Sequence, residues 1–197
     1  MRRLFARARR VAGGRVGWLA LALLASGCLF KTRTPIVGEG ERSFWEPPTT
    51  PEIIVRNLET AFENGVFNDY SRALTEDFVF QPDGADSAQI EIERPGEQVF
   101  VGWNREVETE AAQTIKDSAD SVDVVFTLFS DELIGDDHLR KEDYVLTLFQ
   151  GGGEVAYVGQ AWFLIRQTSG EWFIYEWEDV RTSDAPTWGL LKGRNRL

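Results

Sequence analysis

"EVAYVGQAWFLIRQTSGEWFIYEWEDVR", residues 154–181, is two long runs of Val, Ile, Phe, Tyr and Trp broken by Thr168-Ser169-Gly170. β-branched and aromatic side chains suit a pleated, half-buried surface, and a Ser-Gly break suits a tight turn, so the stretch reads as two antiparallel strands. The same pattern continues upstream in "SVDVVFTLF" (121–129) and "EDYVLTLFQ" (142–150), with "SDELIGDDH" (130–138) and "GGG" (151–153) as separators. Everything after Ser121 is therefore expected to be an antiparallel meander. "QGGGEV" has the glycines of a phosphate loop, but no helix and no Lys-Ser or Lys-Thr follows, so it reads as a hairpin turn.

The residues before this meander have a different period. Thr50 as N-cap, Pro51 at the first helical position and Gly65 beyond the end bracket a helix. Within it Ile54, Leu58 and Phe62 fall four apart with Ala61 beside them, while Glu52, Arg56, Glu59 and Glu63 face away. "NDYSRAL" (68–74) predicts a short second helix capped by Asn68, and "DFVFQP" (77–82) a strand stopped by Pro82. In "QIEIERPGEQVFVGW" (89–103) Ile90 and Ile92 alternate ahead of a Pro-Gly turn. Trp103, Val107, Ala111 and Ile115 then form an i, i+4 row over a third helix, with Glu106, Glu108 and Glu110 elsewhere. Helices first and strands last predict an α+β domain over 49–197, with two to three N-terminal helices packed on one face of a curved antiparallel sheet. "APTWGLLKG" (185–193) adds a short helix or caps the sheet.

Residues 1–27 read as a secretory signal: five arginines in the first ten residues, an apolar run and small residues before Cys28. "LLASGC" resembles the lipobox of bacterial lipoproteins. That resemblance implies acylation of Cys28, a tether over 28–48, and an exported chain lipid-anchored in the cell envelope, on the outer membrane's periplasmic face in a double-membraned organism. Six of the 21 basic residues precede Cys28, leaving 15 against 32 acids, a net charge of −17. Such a surface argues against nucleic-acid binding, and membrane attachment would rest on the lipid.

"TPEIIVRNLETAFENGVFNDYSRALTEDFVF" and "GEWFIYEWEDV" resemble the opening and the last strand of the NTF2-like (SnoaL-like) superfamily, a cone-shaped fold. The resemblance implies a cavity between sheet and helices, a small hydrophobic ligand, and in isomerase-like and cyclase-like members a buried proton-carrying acid. The candidate acids are Asp179, Glu176 and Asp143; Tyr70, Tyr144, Tyr175, Trp103, Trp162 and Trp177 are the candidate pocket residues. It also implies a homodimer through the outer sheet face, with Val145, Thr147 and Phe149 contributing.

Strand arithmetic sharpens the choice. Strict alternation puts Phe173, Tyr175, Trp177, Asp179 and Arg181 on one face, whereas a β-bulge at Tyr175–Glu176 would align Trp172, Ile174 and Trp177. The plainer role for Asp179 is pairing with Arg181 or capping a loop. His138, the one histidine, reads as a turn residue, and the Asp-rich segments miss calcium-loop spacing, so no metal and no cofactor is expected. The resulting expectation is a ligand-binding or assembly module without catalysis; the alternative is an isomerase, dehydratase or cyclase using Asp179 or Glu176 as general base.

Overall fold

The computed structural model describes residues 43–196; the signal segment, Cys28 and most of the tether lie outside them. Five helices and five strands follow in the order α1 (Pro51–Asn64), α2 (Phe67–Arg72), β1 (Leu74–Gln81), α3 (Gly84–Glu93), α4 (Arg105–Asp117), β2 (Ser121–Ile134), β3 (Asp137–Gln150), β4 (Gly153–Thr168), β5 (Glu171–Val180) and α5 (Trp188–Asn195). The strands form one sheet in the order β1-β5-β4-β3-β2. β2 to β5 make the expected meander, with Gly151 and Gly152 turning the β3–β4 hairpin at positive φ. β1 departs from expectation: it lies parallel to β5, so the sheet is mixed. A strand that arrives from a helix and is followed by α3 and α4 has no tight turn forcing it antiparallel.

α1 is built as its sequence dictates. Ile54, Val55, Leu58, Ala61 and Phe62 are buried, and Gly65, with φ of 70°, ends the helix in the left-handed conformation. The segment before it is docked: Asn57 exchanges two hydrogen bonds with Glu46, Trp172 N donates to Pro48 O, and Arg72 stacks over Trp45 at 4.1 Å. Residues 89–93 correct the sequence reading. Ile90 and Ile92 lie on α3, not on a strand, with Ile90 buried and Ile92 exposed. The overlooked signal was Asp83, which caps α3 by accepting from Ala85 N at 2.8 Å. On α4 the buried row is Glu108, Ala111, Ala112 and Ile115, so Glu108 sits on the core side.

The bulge falls at Tyr175. Ile165 pairs with Ile174 and Leu164 with Glu176, which leaves Tyr175 without a partner on β4. Ile174, Trp177 and Asp179 consequently all point inward and are fully buried. The concave face is then filled from above by α5. Trp188 packs on Trp177 edge to face at 4.9 Å and on Phe62 at 5.0 Å, and Phe163 meets Trp177 at 5.0 Å. Such aromatic pairs contribute about 0.5–1.5 kcal/mol each beyond the area they bury.

Candidate functional site

Five predicted site residues meet inside the cone: Tyr70, Trp103, Tyr144, Trp177 and Asp179, each at most 2% exposed. Asp179 Oδ1 accepts from Tyr144 Oη at 2.8 Å, and its Oδ2 accepts from Gly189 N at 2.7 Å. Tyr144 Oη itself accepts from Trp188 N at 2.8 Å. Asp179 and Tyr144 together therefore cap the first turn of α5, satisfying amide donors that have no intrahelical partner. Two glycines make this possible. A Cβ at Gly189 would lie 2.6 Å from Asp179 Oδ2, and one at Gly159 would lie 2.6 Å from Tyr144 Oη. Burial raises the Asp179 carboxyl to about 6 against the opposing pull of Lys192, Tyr144 and Gly189.

Lys192 is the residue that the sequence reading did not single out. Its ammonium is completely enclosed and lies 2.8 Å from Glu108 Oε1, equally enclosed. The contact lacks hydrogen-bond angles, so it is an ion pair without a directed hydrogen bond. The ammonium rests on aromatic faces, 3.2 Å from the Trp177 centroid and 4.0 Å from Phe80. Glu108 also accepts from Tyr70 Oη at 2.7 Å and from Trp103 Nε1 at 2.8 Å. Burial lowers the Lys192 amine to about 8, with Glu108 and then Asp179 resisting that fall. Burial beside Glu108 pushes the Tyr70 phenol upward, and burial beside Asp179 does the same to Tyr144. A lone lysine within "GLLKG" and a glutamate on the Ala111–Ile115 face were the available signals.

The remaining candidates lie elsewhere. Glu176 sits on the outer face, opposite its inward neighbour Trp177, and accepts from Gln81 Nε2 at 2.7 Å; the bulge at Tyr175 does not bring it into the cone. Tyr175, at the bulge, donates to Asp137 at 3.2 Å and carries Arg166 over its ring. Trp162 is also on the outer face, donating to Gln160 under Lys141. Asp143 is exposed there and accepts from Gln160 at 2.8 Å. The proposed Asp179–Arg181 pair is absent: Arg181 binds the fully buried Asp86, which also accepts from Thr187 Oγ1. His138 belongs to β3 rather than to a turn, with Nδ1 2.6 Å from Asp131 Oδ1. Among the described residues no group of His, Cys, Asp or Glu is arranged to hold a metal.

Open space lies outside this cluster. Recesses of about 560, 430 and 300 Å³ are lined respectively from α3 and its following loop, from β1 with the starts of α4 and β5, and from α1 with β2 and β3. Asp179, Glu108 and Lys192 line none of the three. In the smallest of the three, Glu59 is pushed to about 7 by burial and by Glu63, Asp123 and Glu142, with Arg56 opposing.

No family model and no curated protein matches the chain. Solved structures do. The function-unknown protein Rv3472 from Mycobacterium tuberculosis is similar at 15% identity and a TM-score of 0.52, over 87% of this chain and 78% of that one. A candidate scytalone dehydratase from Novosphingobium aromaticivorans has 10% identity and a TM-score of 0.52, over 70% and 90%. A candidate calcium/calmodulin-dependent protein kinase type II association domain from Thiobacillus denitrificans has 14% identity and a TM-score of 0.51, over 70% and 99%. Likeness at these identities concerns the fold and leaves the chemistry open. The fold of this chain is the α+β cone of the NTF2-like proteins, with helices on an open, curved, mixed sheet of five strands.

Proposed function

We propose that this chain is an exported, lipid-anchored assembly module rather than an enzyme. The observation that carries the reading is the occupied cone. A proton carrier must touch its substrate, yet Asp179, Glu108 and Lys192 are each fully enclosed and bound to one another's neighbours. α5 fills the space in which a small hydrophobic ligand would sit. The raised Asp179 carboxyl favours the alternative, a pocket base for an isomerase, dehydratase or cyclase, but that reading requires α5 to leave the cone. Export and anchoring are supported by the signal-like residues 1–27 and by Cys28.

For assembly, the outer sheet face is the favoured surface. Val125, Val145 and Val158 stand side by side across β2, β3 and β4, with Val125 and Val145 nearly half exposed. Asp123, Thr147 and Ala156 make the next row, so a second copy would meet a short apolar row beside a carboxylate in a strongly acidic chain. Sedimentation equilibrium of the unlipidated chain, beside Val145→Glu, tests this. A dimer that the substitution converts to a folded monomer is expected. A wild-type monomer overturns the outer-face reading, and turnover of a ketosteroid or hydroxylated aromatic that Asp179→Asn abolishes overturns the non-catalytic one.

A further inference from the structure

The 430 Å³ recess is unusual for this acidic chain because three arginines line it against two carboxylates, Glu76 and Asp77. Its origin is a local failure of strand pairing. Leu74 pairs with Ile174 and Val79 with Glu176, so four residues of β1 span the place of one on β5. The residues in excess have no partner on β5, and Thr75, Glu76 and Asp77 among them line the recess. Bulges of this sort re-aim side chains and recur beside binding sites.

Arg72 enters from the end of α2, Arg105 from the first residue of α4, and Arg166 from β4. Arg166 is engaged, pairing with Asp77 and lying 4.8 Å over the Tyr175 ring. Arg72 stacks on Trp45 but, like Arg105, has no carboxylate partner among the described residues. Leu74 and Phe173 supply an apolar wall. Thr75 Oγ1 is enclosed without a partner at hydrogen-bond geometry, although it helps Arg166 hold the Asp77 carboxyl low. In a chain of net −17 after the signal segment, Arg105 without a carboxylate partner and Arg72 held only by the Trp45 ring line the same hollow.

We propose that this groove binds a small organic carboxylate with an apolar body, its carboxylate on Arg72 and Arg105 and its body against Phe173. A guanidinium fork matches a carboxylate in two parallel hydrogen bonds, which fixes orientation as well as charge. The site is separate from the cone and does not depend on the assembly reading above.

The probe is sodium benzoate, titrated into the unlipidated chain and followed by amide chemical shifts, with benzamide and inorganic phosphate in parallel. Saturable shifts at Thr75–Asp77, Thr168 and Phe173 are expected with benzoate, weakening as salt is added. Arg105→Gln should weaken binding about tenfold or more, and Arg72→Gln should do likewise. Both side chains reach solvent, so neither change threatens the core, and unchanged shifts at Trp177 and Trp188 would verify that. Absence of saturable shifts at millimolar benzoate overturns the proposal, as does equal binding of benzamide or insensitivity to both arginine substitutions. Phosphate binding as tightly as benzoate overturns the apolar half of the assignment.

Discussion

Replacing Lys192 by methionine probes the plug directly. The ammonium is 2.8 Å from Glu108 and wholly enclosed. The amine is lowered from 10.5 to about 8, because burial disfavours the charged form more than Glu108 and Asp179 restore it. Methionine keeps most of the side-chain volume and still reaches Trp177, so packing changes little. What remains is Glu108, buried with Tyr70 and Trp103 as donors but without a cation. Stranding one member of a buried pair costs about 3–5 kcal/mol. On a domain of this size that lowers Tm by roughly 10 °C. The matched variant is Lys192→Met with Glu108→Gln, which leaves no buried charge in the pair; it is expected within about 1 kcal/mol of the parent or above it. Urea unfolding followed by tryptophan fluorescence gives all four corners of the cycle. A coupling of at least about 2 kcal/mol is required. If the two single losses simply add in the double variant, the two charges are not coupled across the plug and the reasoning fails.

The acid–base profile should be unusual in shape. Asp179 is raised to about 6 and Glu59 to about 7, so the folded state holds more protons than the unfolded chain between about pH 4 and 7, and stability falls as pH rises through that window. Lys192 works oppositely: the unfolded chain binds the extra proton between about pH 8 and 10, so stability recovers there. Thermal melts should show a minimum near pH 7–8, and Asp179→Asn should flatten the acid limb; a monotonic rise from pH 4 to 7 contradicts these assignments. Gly189→Ala places a methyl group against Asp179 Oδ2 and should cost about 1–3 kcal/mol by chemical denaturation. A neutral result would mean that the α5 cap is looser than its geometry implies.

The strands after Ser121 were legible because their apolar and aromatic runs are long and their turns carry glycine. Helix α1 was legible because cap, period and stop agree. The parallel placement of β1 was not, since nothing local distinguishes a strand's partner once the chain returns through helices. Ile90 and Ile92 misled because two residues of alternation fit a helix edge equally well, and the Asp83 cap outweighed them. At the site, Trp177 and Asp179 were found from strand parity and Tyr144 from the family resemblance, while the bulge at Tyr175 decided that Ile174, not Phe173 or Tyr175, joins them inside. Lys192 and Glu108 were missed for a physical reason. A buried charge pair is legible only from its partner, and these two are 84 residues apart.

The α5 plug also sets the order in which this protein can finish. Its ties reach far back along the chain: Thr187 to Asp86 and Arg194 to Glu93 each span 101 residues. Until residues 188–195 have been synthesised, the sheet has no lid, Trp177 faces water and Glu108 has no counter-charge. Contacts of such long range form only after the entropy of closing the intervening chain has been met. Closure of the cone therefore couples α3 to α5 across the whole intervening sheet, so that neither helix can be loosened without disturbing the other.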